Sequence, residues 1–133
     1  MKYLLDTDIC IYIIKKKPEQ VLKKLAKLES TDIAISTITL SELIYGAEKS
    51  QHKEKNLEAI TGFLVPIDVL PWDEGAARSA GQIRAVLEKH GKVIGPYDLQ
   101  IAGQALSLNL TLVTNNEKEF SRIKGLKIEN WAK

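Results

Sequence analysis

The chain has 133 residues, 44% hydrophobic and 27% charged, enough to close one hydrophobic core without disulfide or metal staples. Its 19 basic and 17 acidic side chains leave a net charge of +2, so no global field favours a polyanion and any such partner must be held locally. The single cysteine, Cys10, excludes an intramolecular disulfide and a cysteine-cluster metal site. No apolar run is long enough to span a bilayer and residues 1–20 show no signal-peptide pattern, so the expectation is one domain, 1–133, in the cytoplasm.

In chain order, Tyr3-Leu4-Leu5 reads as a short buried strand that ends on Asp6, since a buried strand releases its first charged side chain where it leaves the core. Asp6-Thr7-Asp8 is a cap-like cluster before a helix over Ile9 to Lys15, and Lys15-Lys16-Lys17-Pro18 ends that helix. A second helix follows Pro18, with Val21, Leu22, Leu25 and Leu28 on one face and Lys23, Lys24 and Lys27 on the other. Ile33-Ala34-Ile35 is a second strand ending at Ser36-Thr37. Thr39 begins a helix carrying Leu40, Leu43, Ile44 and Ala47, and Asn56 to Leu64 continues helically after a polar break.

Ile67 to Pro71 is a third, poorer strand, and Trp72-Asp73 opens the longest helix, closed by His90-Gly91. Gly95-Pro96 opens another helix, running to about Leu108. Thr111 to Thr114 is a fourth strand, followed by a short helix from Asn116, a stop at Gly125, and Leu126-Lys127-Ile128 as a fifth strand. Short strands separated by helices favour a parallel sheet covered on both faces, because parallel strands need helical crossovers.

A parallel sheet sends its strand ends, and the helix starts that follow them, to one edge, where ligands of open α/β sheets bind. Asp6 ends strand one, Glu42 is expected in the first turn of the helix after strand two, and Asp98 follows Gly95-Pro96. Asn116 and Glu119 follow strand four, so four segments deliver acids to one rim. Carboxylates gathered in this way repel one another, and hard divalent cations with oxygen ligands neutralise them. Each acid also has a local reading. Thr39-x-x-Glu42 and Asn116-x-x-Glu119 fit the capping box, Asp98 suits the positive end of a helix dipole, and Asp6-Thr7-Asp8 can cap the first helix. Spacing does not separate ligand from cap.

The stretches Leu4-Leu5-Asp6-Thr7-Asp8-Ile9, Ile38 to Ala47, Gly95-Pro96-Tyr97-Asp98-Leu99-Gln100-Ile101-Ala102 and Val113 to Phe120, in that order along the whole chain, resemble the PIN-domain family, and within it the VapC toxins of bacterial toxin–antitoxin pairs. The resemblance implies an α/β/α sandwich around a parallel five-stranded sheet of order 3-2-1-4-5. It also implies a Mg²⁺-dependent endoribonuclease, with Mn²⁺ as an alternative ion, whose metal ligands are Asp6, Glu42 and Asp98. The catalytic set implied is Asp6, Glu42, Asp98 and Asn116, with Glu119 as a companion.

Two positions depart from the family pattern: Asp8 stands where Asn is usual, and Asn116 where many PIN domains carry a fourth acid. Attack by metal-activated water would leave 3′-hydroxyl and 5′-phosphate ends. The implied partners are a structured RNA substrate, for the nearest subgroup initiator tRNA cut in its anticodon loop, a cognate antitoxin, and a second copy of the chain as a homodimer. The apolar side chains Ile9, Ile11, Tyr12 and Ile13 on one helix and Leu43, Ile44 and Tyr45 on another exceed what one helix face gives to a core, so they are either buried all round or partly covered by a second copy of the chain or an antitoxin helix. Thr7 and Thr114 either hold ligands or water, or simply end their strands. The scattered Lys and Arg residues either line a phosphate groove or solvate helix faces.

Two other functions fit parts of the sequence. Asp6-Thr7-Asp8 after a strand resembles the nucleophile motif of haloacid-dehalogenase-type phosphatases, with Asp8 as the acid, although Asn115-Asn116 supplies no later acidic pair. A non-catalytic binding module would use the same acids as caps.

Overall fold

The computed structural model describes residues 1–133. Its strands are β1 (Tyr3–Leu5), β2 (Ile33–Ser36), β3 (Asp68–Leu70), β4 (Thr111–Val113) and β5 (Ile128–Glu129). The helices are α1 (Thr7–Lys15), α2 (Glu19–Ala26), α3 (Thr37–Glu48), α4 (Lys53–Leu64), α5 (Glu74–Lys89), α6 (Pro96–Ser107) and α7 (Glu117–Phe120). All strands pair in parallel, in the order β3-β2-β1-β4-β5. This is the expected α/β/α sandwich, and none of its helices is long and apolar enough to cross a membrane.

Alternation along the central strand divides the core in two. Leu4 packs with Ile83, Leu87, Ile101, Ala102 and Phe120, under α5 and α6. Leu5, its neighbour, packs on the opposite face with Ile9, Cys10, Val21, Leu43 and Ile60, under α1 to α4. Cys10 is fully buried there and fills space. The strand order places β1 and β4 side by side in the middle of the sheet, with Leu5 level with Val113. Asp6 extends that pairing by one residue, its N–H donating to the Val113 carbonyl at 2.9 Å.

Three expectations need correction. First, α3 starts at Thr37, not Thr39, because Ser36 caps it and accepts from the Ile38 N–H at 3.0 Å. Thr39 is therefore fully buried inside the helix, and Glu42 falls in the second turn. Second, β5 is Ile128–Glu129, since Gly125 at φ 86° turns the chain and the Leu126 N–H still closes that turn on Ile123. Third, of the two alternatives left open for the apolar residues of α1 and α3, burial all round does not hold: Ile11 is 36%, Ile44 38% and Tyr45 64% exposed, although Ile9 and Leu43 beside them are buried.

Candidate active site

Asp6 is the fixed point of the rim. It is 6% exposed, and both carboxylate oxygens are engaged: Oδ1 accepts from the Thr7 N–H at 2.8 Å and Oδ2 from the Thr114 hydroxyl at 2.8 Å. The cap reading holds for this residue, the N-cap of α1, and the same residue is the innermost acid of the cluster. Burial raises its pKa against the opposing pull of those two hydrogen bonds.

Glu42 reaches the same place from α3. Its Oε1 accepts from the Thr7 hydroxyl at 3.0 Å, so a single threonine carries Asp6 on its N–H and Glu42 on its side chain. The capping box proposed for Glu42 does not form, because Ser36 already satisfies the helix start. Burial raises the Glu42 pKa, the Thr7 hydrogen bond lowers it, and the negative charge of Asp6 raises it again. Asp98 stands in the first turn of α6 behind Gly95-Pro96, as expected. Its carboxyl is pushed up to about 7, chiefly by burial and then by the charges of Asp6, Glu119 and Glu42 and a hydrogen bond with Glu119. Those mutual influences bring acids from three separate segments into one electrostatic cluster, and Glu119 adds a fourth.

Asn116 completes it. Its main-chain N–H donates to the Thr114 hydroxyl oxygen at 3.0 Å, and its Nδ2 donates to Glu119 Oε2 at 3.2 Å and lies 3.5 Å from Asp98 Oδ2. The second proposed capping box also fails: Asn116 occupies the N-cap position of α7 without a side-chain cap bond, and its amide is spent on the two acids instead. Thr7 and Thr114 prove to be clamps on the carboxylates.

Asp8 lies beside the cluster but shares no hydrogen bond with its acids. Its oxygens are taken by the Ile9 N–H at 2.7 Å and the Asn115 N–H at 3.2 Å. Its pKa is pushed up to about 6, first by burial and then by Asp6. A carboxyl engaged by two backbone donors is not the free proton donor that the phosphatase reading requires.

The donor set suits a hard divalent cation. Asp6, Glu42, Asp98 and Glu119 offer only oxygen, and none of the ion pairs of the chain involves any of them. Clustered carboxylates with no basic partner, all three of the proposed ligands held above their ordinary pKa, have the electrostatics of a site that takes its positive charge from outside. The oxygens are spread around the rim rather than gathered into a three-ligand cage. Glu42 and Asp98 are half-buried.

Sequence reasoning did not find Asn115 and Asn130, whose amides meet at 3.1 Å and tie the loop after β4 to the segment after β5. No local pattern marks either one.

The sequence profile of the PIN domain family matches residues 3–126. The tRNA(fMet)-specific endonuclease VapC of Shigella flexneri is 51% identical over 132 residues, covering 99% of this chain and 99% of its own. Among solved structures, the DNA-bound VapBC of Salmonella typhimurium matches at 50% identity and a TM-score of 0.93, over 98% of each chain. VapBC2 of Rickettsia felis, bound to a DNA fragment from its promoter, matches at 43% identity and a TM-score of 0.91, over 98% of this chain and 99% of its own.

Proposed function

The chain belongs to the PIN-domain family, and from that membership we propose that it is a metal-dependent endoribonuclease, the toxin of a toxin–antitoxin pair, acting on initiator tRNA. The observation that carries the reading is the rim itself: Asp6, Glu42 and Asp98 arrive from three segments at the carboxyl edge of β1 and β4, joined by Asn116 and Glu119 and without a basic partner. The full-length similarity to a tRNA(fMet)-specific endonuclease supplies the substrate class. A tRNA substrate puts the reaction in the cytoplasm.

Asp6, Glu42 and Asp98 would hold the cation, and the oxygen-only donor set favours Mg²⁺, with Mn²⁺ able to replace it. When bound, that ion supplies Lewis acidity toward the scissile phosphate and toward the attacking water. The protein's own contribution is placement. Thr114 and the Thr7 N–H fix Asp6, the most buried acid, in one orientation. Thr7 holds Glu42 by Oε1, which leaves Oε2 to bind the cation or take a proton from the water. Asn116 brings hydrogen bonds without charge, orienting Asp98 and Glu119 where a fourth acid would add repulsion. Because water attacks, the neighbouring 2′-hydroxyl is not needed, and the products are a 3′-hydroxyl and a 5′-phosphate.

The antitoxin meets the apolar groove lined by Ile11, Ile14, Leu43, Ala59 and Ile60, a volume of about 280 Å³ that borders on Glu42, with Ile44 and Tyr45 exposed on the same helix. A basic side chain from a partner seated there can pair with the rim and compete with the cation.

The test is cleavage of an initiator tRNA transcript by the purified chain with Mg²⁺. Cutting at one position in the anticodon loop, with a new 5′-phosphate end, abolished by EDTA and by Asp6→Asn or Asp98→Asn, is the expected result. Wild-type cleavage by Asp98→Asn removes that residue from the site, and no cleavage by the wild type under any divalent ion removes the function.

A further inference from the structure

The loop between β4 and α7 has only three residues, Thr114 to Asn116, and two of them act on the acids of the rim. Local bonds on Asn116 are few: its N–H donates to the Thr114 hydroxyl at 3.0 Å and its Nδ2 to Glu119 at 3.2 Å. Its backbone, at φ −97° and ψ 58°, is neither helical nor extended, it makes no side-chain cap bond, and the helix it precedes has a single turn. The residue between them ties the loop to two further parts of the chain. Asn115 is exposed, yet all its polar groups apart from the main-chain carbonyl are engaged: its N–H donates to Asp8 Oδ2 at 3.2 Å, its Nδ2 to the Tyr12 hydroxyl at 3.2 Å, and its Oδ1 accepts from Asn130 Nδ2 at 3.1 Å.

Both outer partners are themselves anchored. Tyr12 lies on α1, the helix capped by Asp6, and packs against the core cluster around Leu5. Asn130 accepts from the Ala132 N–H at 2.9 Å and donates to Glu117 Oε2 at 3.1 Å. The next residue, Trp131, is buried with its ring edge-on to Tyr3 at 5.4 Å between centroids. The loop is therefore clamped between the helix that starts at Asp6 and the segment that follows β5.

We propose that Tyr12 and Asn130 are positioning residues for the reaction: by gripping the Asn115 side chain they hold the loop so that Asn116 stays on Asp98 and Glu119. This rests on the reading of Asn116 as a site residue. Neither Tyr12 nor Asn130 touches the acids of the rim: Tyr12 acts through Asn115 alone, and Asn130 through Asn115 and through Glu117 at the start of α7. Small displacements of groups that orient a reacting centre are costly, up to about 10²-fold for a misplacement of about 1 Å, which makes the turnover rate the sensitive readout.

The experiment uses the full chain and an initiator tRNA transcript with Mn²⁺, comparing Tyr12→Phe, Asn130→Ala and their combination in the wild-type and Asn116→Ala backgrounds. The double variant is expected to lose about tenfold in kcat with KM changed by less than about twofold, as for an interaction that matters only in the transition state. In the Asn116→Ala background the same two changes should cost nothing further, because their effect is already gone. Thermal unfolding of each variant is followed in parallel. If Asn130→Ala does not fold, Tyr12→Phe, which removes one oxygen and keeps the packed ring, carries the test alone with a loss of about threefold in kcat that Asn116→Ala abolishes.

A double variant that turns over at the wild-type rate overturns the proposal, as does an equal loss in both backgrounds, which would make the clamp structural only. A wild-type kcat for Asn116→Ala overturns the site reading and this proposal with it. A slow Asn116→Ala beside an unimpaired double variant overturns the clamp and leaves the site reading standing.

Discussion

The Thr114 hydroxyl donates a 2.8 Å hydrogen bond to Asp6 Oδ2, joining two residues 108 positions apart, and its oxygen accepts from the Asn116 N–H at 3.0 Å. One fully buried hydroxyl thus orients the innermost acid and the loop that bears Asn116. Thr114→Val keeps the shape and removes both bonds. Leaving a half-buried donor and a buried carboxylate oxygen unpaired costs about 1–3 kcal/mol. We expect urea unfolding to show that loss and RNA cleavage to fall with it, while Thr114→Ser retains most of both. Unchanged stability and activity in Thr114→Val would show that the hydroxyl is dispensable.

Asp8 gives a second prediction. Its oxygens serve the Ile9 and Asn115 N–H groups, and asparagine offers only one side-chain oxygen to serve them. It also removes a charge that burial and Asp6 both disfavour. Asp8→Asn should therefore cleave RNA within a few-fold of wild type, and Asp8→Ala, which loses the acceptor, should be slower. A loss in Asp8→Asn as deep as that of Asp6→Asn would make Asp8 a ligand or an acid in its own right.

The third concerns pH in the metal-free protein. Burial and neighbouring charges hold Asp98 at about 7 and Asp8 at about 6, against 3.8 for an unperturbed aspartate, so the folded chain binds protons more readily than the unfolded one. Their stabilising effect is complete below 3.8 and is lost as pH rises through about 6 and 7. In EDTA, the urea midpoint should fall between about pH 5 and pH 8, and fall less in Asp98→Asn. Adding Mn²⁺ should restore the midpoint more at the upper end, where the carboxylates no longer hold protons against the ion. An identical pH slope in wild type and Asp98→Asn would mean that Asp98 is not the source.

The fourth is structural. A Cβ on Gly103 of α6 would stand 2.7 Å from both the Cβ and the main-chain nitrogen of Ala80 in α5. The two helices can cross only with glycine there. Gly103→Ala should cost about 1–3 kcal/mol, the usual range for overpacking a tight core. Ala80→Gly in the same chain should recover only part of it, because the clash with the backbone nitrogen remains. Calorimetry or urea unfolding of the two variants measures this, and a Gly103→Ala chain as stable as wild type would contradict the crossing distance.

The sequence by itself determined the alternation of strands and helices, and so the parallel sheet. It also determined that Asp6 ends a buried strand and that Asp98 opens a helix behind Gly95-Pro96. These are local matters: apolar periodicity, turn residues and caps act over a few positions, and the sheet edge follows from them once all strands run the same way. The motif resemblance added the order 3-2-1-4-5, which the sheet has.

Tertiary structure decided the rest. Whether Glu42 caps its helix turned on Ser36 taking the helix start and Thr7, 35 residues away, taking the Glu42 carboxylate. Whether Asn116 is a cap turned on Asp98 and Glu119 competing for its amide. The partners of Asn115 lie in α1 and beyond β5, and the contact that demands Gly103 comes from another helix. Spacing tells which groups a residue can offer. Which of them are used depends on what packing brings within about 3 Å, and short-range sequence pattern holds no information on that.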